Sequence, residues 1–301
     1  MMPREIGLIG LGDMGSKIAE RLQGSGYSLV LYNRSQEKYS GFAGKDNVRS
    51  SSNLDEFVSM LRKDDGEIVV WSMLPGGEVT NAMMLELSSR LRRHDIIIDA
   101  SNSVYDDSIR NARILGEKSI SYLDVGLAGG PSDVLKGVAL MVGGDKSAYS
   151  KVEELFKTIS GTCTYGYLGS SGSGHMAKLV HNVIFYGINP VYVEGAELLQ
   201  KLKDDFNGSF DVLEAFRLYS FAPPINGEII GAIATVVKTG EMPTKAPEIK
   251  VSNMITWAIE RASKAGVSMK ATNAVLSNYS NLSEKSRRIY SAAKKIVTGH
   301  Y

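Results

Sequence analysis

Five side chains spaced along one segment could do chemistry together. In GSGHMAKLVHNVIFY, residues three, four, seven and eight positions apart share one side of a helix. The side chains on that side are Lys178, His181, Asn182, Phe185 and Tyr186. An ammonium, an imidazole, a carboxamide and a phenol are costly to bury unless a polar partner meets them. We therefore predict that they face a polar substrate.

A solvated face is the alternative, because a lysine usually keeps its ammonium group in water while its stem covers apolar surface. The apolar residues Leu179, Val180, Val183 and Ile184 occupy the other side of the segment, so we expect this helix to be buried nearly all round. Since a lysine is seldom deeply buried without a role, the pattern favours a substrate pocket.

The composition favours a small-molecule partner. The 301 residues suit one large or two ordinary domains, and 34 basic against 33 acidic residues leave no excess charge for nucleic acid. A single cysteine excludes a disulfide framework and a cysteine-based metal site, and the histidines lack a ligand spacing with carboxylates. No signal sequence or membrane span is apparent. We expect a cytoplasmic protein without a metal, nucleic-acid or membrane partner.

A glycine-rich turn follows the first predicted strand. The apolar strand Glu5–Ile9 leads into GLGDMG, and a helical pattern follows over residues 16–23. In a GxGxxG turn the first glycine allows the tight turn, the second lets the backbone approach a pyrophosphate, and the third lets the helix pack on the strand. The predicted cofactor contacts here are Gly10, Leu11, Gly12, Asp13, Met14 and Gly15.

The residues after the second predicted strand, residues 27–32, select the cofactor. Asn33, Arg34 and Ser35 stand where NAD-selective sites place a carboxylate for the ribose 2′-hydroxyl group. Asn33 has no charge to repel a 2′-phosphate, and Arg34 can bind one through its planar fork of donors. We therefore predict NADP rather than NAD. An ordinary exposed turn residue is the alternative for Arg34.

Strand and helix patterns alternate after this point. Continuous apolar strands such as IVVWSM and DIIIDA are typical of a parallel sheet covered on both faces, which predicts an α/β, Rossmann-type doubly wound domain. Ligands of such sheets bind beyond the carboxyl ends of the strands. The loops at these ends add the predicted contacts Met73, Leu74, Pro75 and Asn102. Asn102 is also placed to reach the substrate, although a turn or helix cap explains it equally well.

A second glycine-rich segment reads DVGLAGGPSDVLKGVALMVGG. Gly129 and Gly130 within it have no side chains to block a ligand, and their N–H groups could bind a carboxylate. A hairpin or bulged turn without a ligand is the alternative, and the segment by itself favours that alternative.

The composition changes near residues 165–172, which lie in the segment YGYLGSSGSG (residues 165–174) and which we predict to be a connection between domains. Strand patterns nearly vanish beyond it, and amphipathic helical patterns follow at residues 191–202, 211–219, 228–238, 249–265 and 284–297. We predict a cofactor-binding Rossmann domain over residues 1–168. An all-helical substrate and oligomerisation domain follows over residues 169–301.

Five motifs occur in this order: GLIGLGDMG, NRSQEK, IIIDASNS, DVGLAGG and GHMAKLVHNVIFYG. Together they resemble the 6-phosphogluconate dehydrogenases, within the wider β-hydroxyacid dehydrogenase superfamily. The resemblance implies that Lys178 is the general base for the 3-hydroxyl proton while hydride leaves for the nicotinamide. It implies that Asn182 and His181 hold the hydroxyl and neighbouring oxygens, and that ribulose 5-phosphate is the product. The implied contacts to the carboxylate end are Asn102, Gly129 and Gly130.

The chain departs from this family at three positions. The family motif HNGIEYG has a glutamate that protonates the carbon left after decarboxylation, whereas HNVIFYG has Phe185, and a phenyl ring cannot deliver a proton. Ala128 replaces the usual serine, and Asn226 stands where an arginine is expected for the sugar phosphate. Phosphate binding is therefore in doubt.

Other phosphate contacts have counterparts in this chain. The resemblance implies that they are Tyr186, Lys250, Ser252, Lys294 and His300. Because the family's C-terminal tail reaches the neighbouring subunit's site, the resemblance also implies a homodimer or homotetramer that acts on a phosphorylated sugar acid. A frayed basic C-terminus explains the tail equally well.

Three functions are compatible with these patterns. The first is NADP-dependent oxidative decarboxylation of 6-phosphogluconate or a close relative, which the motifs NRSQEK, IIIDASN and KLVHN favour. The second is a non-decarboxylating dehydrogenase of the 3-hydroxyisobutyrate type, which Phe185, Ala128 and Asn226 favour. The third is an inactive protein that senses NADPH, against which the retention of Lys178, Asn182 and Asn102 argues.

Overall fold

A computed structural model describes most of the chain in two compact units, Met1–Lys178 and Leu179–Tyr301. The described residues are 5–62, 66–203, 207, 209–221, 228–245, 256, 257, 259, 260, 263, 273, 274, 276, 277 and 281–299. The functional division into domains at residues 168 and 169 stays a prediction.

The described part of the first unit forms one eight-stranded sheet with helices between its strands. The strands are β1 (Glu5–Ile9), β2 (Ser28–Tyr32), β3 (Val48–Ser51), β4 (Val69–Ser72), β5 (Ile96–Asp99), β6 (Ser121–Ala128), β7 (Ala139–Gly144) and β8 (Tyr165–Gly169). The helices are α1 (Asp13–Gly24), α2 (Leu54–Leu61), α3 (Glu78–Ser88), α4 (Tyr105–Gly116) and α5 (Lys146–Ser160), with a 3-10 helix at Gln36–Phe42.

The strand order is β3-β2-β1-β4-β5-β6-β7-β8. Strands β1 to β6 are parallel, which confirms the predicted Rossmann-type sheet. The β6–β7 pair is antiparallel and β8 is parallel to β7, so the last two strands run in reverse. The short connection from β6 to β7 explains the reversal, because a parallel pair needs a crossover of a dozen or more residues.

Apolar clusters cover both faces of the sheet. On one face Ile18 and Leu22 of α1 pack with Phe156 of α5, and on the other face Phe57 of α2 packs with Met84 of α3. Every residue of β4 and β5 is buried, as their continuous apolar sequences predict for a sheet covered on both sides. The carboxyl ends of the parallel strands are left to form a site.

The connection predicted at residues 165–172 is wrong for its first five residues, which form the edge strand β8. The hydroxyl of Tyr167 donates a hydrogen bond to the carbonyl oxygen of Gly144 at 2.9 Å, and the rings of Tyr165 and Tyr167 pack on the core. Alternating tyrosines therefore outweigh the glycines between them, because cross-strand packing determines whether a segment pairs.

The described elements of secondary structure in the second unit are helices, as predicted. Helix α6 (Ser173–Leu202) begins in the first unit and includes the separate helix predicted at residues 191–202. It is followed by α7 (Val212–Phe221), α8 (Glu228–Thr239) and α9 (Glu284–Thr298), which share one apolar cluster. The helix predicted at residues 249–265 lies largely outside the described residues. No described helix has the length and apolarity needed to cross a membrane.

Candidate functional site

The GxGxxG turn joins β1 to α1, and each glycine meets a different steric demand. Gly10 has a φ of 93°, a left-handed value that favours glycine, and a Cβ there would lie 2.5 Å from the carbonyl oxygen of Met73. A Cβ at Gly15 would overlap the carbonyl oxygen of Gly10. A Cβ at Gly12 would meet no described atom within 4 Å, so the backbone there is open to a ligand.

The N-terminus of α1 fits the predicted pyrophosphate. Gly12 is its N-cap residue, and no side chain of the described residues caps the first turn by a hydrogen bond. The first N–H groups of a helix lack internal acceptors and lie at the positive end of its dipole. An anion over Gly12 would satisfy them. Because Asp13 adds a negative charge to this turn, the backbone N–H groups and not that side chain would stabilise the anion.

Asn33 supports the glycine turn. Its Oδ1 accepts a hydrogen bond from the N–H of Leu11 at 3.0 Å, and its Nδ2 donates to the carbonyl oxygen of Ser35 at 2.9 Å. Its own N–H donates to the Tyr39 hydroxyl at 2.7 Å, and that hydroxyl lies 2.7 Å from the carbonyl oxygen of Ser51. Asn33 thus joins the end of β2 to the turn after β1, a supporting contact that the sequence analysis missed.

The neighbouring Arg34 is exposed at the carboxyl end of β2. Its guanidinium group is therefore accessible to a phosphate on the same edge of the sheet as the glycine turn. Contact of Arg34 and Ser35 with a 2′-phosphate stays a prediction.

The loops that follow β4 and β5 touch each other. A Cβ at Gly76 would overlap the carbonyl oxygen of Asn102, and the N–H of Met73 donates to the carbonyl oxygen of Ile9 at 2.8 Å. The structure thus places Met73 and its loop between the glycine turn and Asn102. The N-cap residue of α4 is Val104, so the helix-cap interpretation of Asn102 is wrong. Its side chain is exposed.

The predicted free N–H group of Gly130 is already bonded. It donates to Oδ2 of Asp133 at 2.6 Å, and the N–H of Asp133 donates back to the carbonyl oxygen of Gly130 at 3.0 Å. The loop between β6 and β7 therefore closes on itself by a reciprocal pair of hydrogen bonds. Gly129 has a φ of 142° and packs on Val138. A substrate carboxylate would have to displace Asp133 to reach the Gly130 amide.

Lys178 lies directly against β6. A Cβ at Gly126 would overlap the Cβ of Lys178 and lie 2.9 Å from the carbonyl oxygen of Gly174, so the glycine makes room for the lysine stem. Burial lowers the pKa of Lys178 to about 8, because a buried ammonium group loses hydration. An amine with this pKa is partly neutral near physiological pH and can accept a proton.

The start of α6 is anchored by Asp124, which the sequence analysis missed. This fully buried carboxylate accepts the N–H of Gly172 at 2.7 Å through Oδ1 and the N–H of His175 at 2.8 Å through Oδ2. It thereby satisfies two of the first amides of the helix and complements its dipole. A charged residue inside an otherwise apolar strand was the available signal.

Beyond Lys178, α6 continues into the second unit. There the ring of His181 stacks on that of Phe185 with 6.4 Å between centroids, and Phe185 meets Tyr186 edge-on at 5.4 Å. Nδ1 of His181 lies 3.3 Å from Oδ1 of Asn182, and burial raises the pKa of Tyr186. The structure therefore brings these four side chains together. That they share a substrate with Lys178 stays a prediction.

The expectation that this helix is buried nearly all round is wrong. The side chains of Met176, Val180, Ile184 and Ile188 are 42–56% exposed, and their spacing of four residues aligns them in one stripe. An apolar pattern shows which surface a helix can bury, but it does not show that the same chain covers that surface.

The predicted phosphate contacts Lys250, Ser252 and His300 lie outside the described residues. Asn226, which stands where the family has an arginine, also lies outside them. Lys294 lies half-buried on α9, where burial lowers its pKa. Among the described residues, no three His, Cys, Asp or Glu side chains are grouped so that they could hold a metal ion.

The sequence of this chain is similar to that of known dehydrogenases. Residues 5–169 match the family model described as the NAD binding domain of 6-phosphogluconate dehydrogenase. A putative 6-phosphogluconate dehydrogenase of Bacillus subtilis is 36% identical over 232 residues, which cover 75% of this chain and 73% of the relative.

Two solved structures share the fold. A 3-hydroxyisobutyrate dehydrogenase of Mycobacterium tuberculosis has a TM-score of 0.76 at 19% identity, over 98% of this chain and 99% of that chain. The 6-phosphogluconate dehydrogenase of Plasmodium falciparum, solved with NADP+ and with 6-phosphogluconate, has a TM-score of 0.75 at 23% identity over 95% of this chain. The match spans 62% of that enzyme and 65% of a decarboxylating 6-phosphogluconate dehydrogenase of Synechococcus elongatus.

Proposed function

Because the chain belongs to the family defined by the NAD binding domain of 6-phosphogluconate dehydrogenase, we propose that it is an NADP-dependent dehydrogenase of 3-hydroxy acids. The observation that carries the proposal is Lys178, a partly buried amine packed on β6 with its pKa lowered to about 8. The glycine turn and the open N-terminus of α1 in the same unit support the cofactor.

The proposed chemistry depends on a neutral lysine. Lys178 takes the proton of the substrate hydroxyl as the carbon that bears this hydroxyl is oxidised. NADP, when bound, would accept the hydride that leaves the same carbon. Asn182 and His181 orient the hydroxyl and its neighbouring oxygens. Asn102 and the Gly129–Gly130 loop hold the carboxylate end, with Asp133 displaced from the Gly130 amide.

The pH dependence of oxidation follows from the same amine. Burial holds the pKa of Lys178 at about 8, and only the neutral form can accept the hydroxyl proton. We therefore expect kcat/KM for oxidation to fall about tenfold per pH unit below that pKa and to level off above it. Carbonyl reduction needs the protonated amine of Lys178, so kcat/KM for reduction should instead fall as the pH rises above that pKa. A pH profile of both directions checks this, and a flat oxidation profile between pH 6 and about 9 would contradict it.

NADP selectivity is assigned to Arg34. Replacement by alanine should weaken NADP binding by about 1.5 to 3 kcal/mol, the typical contribution of a charge-assisted contact, and leave NAD binding nearly unchanged. Arg93→Ala is the matched control, because Arg93 is also exposed but precedes β5, at the opposite ends of the parallel strands. Titration of each variant with both cofactors gives the ratio of the NADP and NAD dissociation constants. Equal losses for NADP and NAD would refute the assignment.

The substrate is proposed to be a 3-hydroxy acid that is oxidised without decarboxylation. Phe185 stands at the position of the proton-donating glutamate of the decarboxylating family motif, and a phenyl ring carries no acidic proton. The full-length fold match to a 3-hydroxyisobutyrate dehydrogenase supports this choice. Oxidative decarboxylation of 6-phosphogluconate is the second candidate, supported by the sequence identity to the Bacillus subtilis relative.

One assay separates these candidates. NADPH absorbance and released carbon dioxide are followed together with 6-phosphogluconate, 3-hydroxyisobutyrate and related acids. NADPH formation without carbon dioxide supports the main proposal, and formation with carbon dioxide supports the second candidate. NADP binding without turnover of any of these acids would overturn both and leave a cofactor-binding protein.

The oligomer and the phosphate site are proposed in the same terms. If the substrate is phosphorylated, Tyr186, Lys250, Ser252 and Lys294 bind the phosphate together with His300 from a neighbouring subunit in a homodimer or homotetramer. The resemblance of the C-terminal tail to that of the family supports this arrangement.

A further inference from the structure

Two buried side-chain hydrogen bonds hold the segments between β5 and α6 of the first unit. Asp99, the last residue of β5, accepts the hydroxyl proton of Tyr122 through Oδ2 at 2.8 Å. On α4, which follows β5, the hydroxyl of Ser108 lies 2.7 Å from Nδ1 of His175 on α6. All four residues are at most 3% exposed, so bulk water does not compete with these bonds.

The charge of Asp99 sets the direction of the first hydrogen bond. A carboxylate only accepts hydrogen bonds, so the Tyr122 hydroxyl donates to Asp99. Burial and the charges of Asp99 and Asp124 raise the pKa of Tyr122 well above its ordinary value, which keeps that donor protonated. Nε2 of His175 is buried and has no hydrogen-bond partner among the described residues, so Nδ1 makes the side-chain hydrogen bond of this ring.

Each of the two hydrogen bonds meets a segment that carries a proposed site residue. At one end Asp99 also accepts the N–H of Ser101 through Oδ1 at 3.0 Å, one residue before Asn102. At the other end the N–H of His175 is held by Asp124 at 2.8 Å, and Lys178 follows one helical turn later. Tyr122, Asp124 and Gly126 alternate along β6 and so share one face of it.

We propose that Tyr122, Ser108 and His175 are positioning residues that fix the Asn102 loop and the Lys178 turn of α6 in one frame. Buried hydrogen bonds that water does not reach hold together the segments that they join. The carboxamide of Asn102 and the amine of Lys178 then keep one separation while substrate enters. This inference rests on the proposed dehydrogenase function for its kinetic effect, but the positioning itself is measurable without turnover.

The test removes single links without changing the shape of the core. Tyr122→Phe and Ser108→Ala should each lower kcat by about 10- to 100-fold, because small displacements of reacting groups have effects of this size, while the NADP dissociation constant stays within about twofold. The amides of residues 101–103 should exchange hydrogen faster in both variants. Tyr149→Phe is the matched control, since Tyr149 is a buried tyrosine on the other face of the sheet.

Conservative rescue separates positioning from stability. His175→Asn keeps a donor near the place of Nδ1 and should retain more activity than His175→Leu at comparable thermal stability. Unchanged kcat and unchanged amide exchange in Tyr122→Phe and Ser108→Ala, with only a lowered melting temperature, would overturn the inference. If the wild type turns over no 3-hydroxy acid, the proposed function fails, and the exchange of residues 101–103 still decides the positioning.

Discussion

Lys178→Met should lower kcat for hydroxy-acid oxidation by about a thousandfold, because general-base catalysis contributes effects of this order, while NADP affinity remains nearly unchanged. Methionine matches the length of the lysine stem, so its packing against Gly126 and β6 is kept and only the amine is lost. The cofactor contacts proposed on α1 and β2 are made by other residues. Stopped-flow NADPH absorbance gives the rate, and cofactor titration gives the affinity.

Two controls make this result specific to the amine of Lys178. Lys178→Arg keeps a positive charge but cannot lose it at ordinary pH, and it should be as inactive as the methionine variant. Lys157→Met removes an exposed lysine of α5 and should leave kcat unchanged. Turnover of Lys178→Met within about tenfold of the wild type would show that another group takes the proton.

Gly126→Ala should lower kcat by about a hundredfold, since a displacement of about 1 Å can have that effect on a positioned group. The added Cβ would overlap the Cβ of Lys178 and approach the carbonyl oxygen of Gly174 to 2.9 Å. Neither atom is the end of a flexible side chain, so the first turns of α6 must move away from β6. NADP affinity should change little, because the glycine turn after β1 is a separate part of the sheet edge.

Gly166→Ala is the matched control for Gly126→Ala. Gly166 also lies in a strand of the sheet, but a Cβ there would meet no described atom within 4 Å. Circular dichroism and NADP binding show whether both variants fold. A folded Gly126→Ala protein with wild-type kcat would mean that the position of Lys178 on β6 does not matter for turnover.

The two active-site predictions share a structural premise, which is that β6 and not the helix alone sets the position of the lysine. Asp124 holds the first amides of α6, and Gly126 admits the lysine stem one step further along the same face. Helical periodicity shows which residues share a side with Lys178, but it does not show the sheet surface on which the helix begins.

Three interpretations made from the sequence are wrong because a local sequence pattern has more than one physical cause. Glycine density at residues 165–172 indicated a connection, although alternating tyrosines make residues 165–169 an edge strand. The Gly130 amide looked available, although Asp133 three residues later accepts its hydrogen bond. Apolar residues along α6 indicated burial all round, although a stripe of them is exposed.

The sequence by itself determined the parts that depend on neighbouring residues. Strand β1, the GxGxxG turn, the helix that follows it and the alternation of strands and helices follow from steric rules and periodicities that act over a few positions. Only the tertiary structure decided the reversal of β7 and β8, the contact of Gly126 with Lys178, and the hydrogen bond of Ser108 with His175, 67 positions away. These contacts join segments that are distant in the chain, so they exist only once the sheet has brought its strands and helices together.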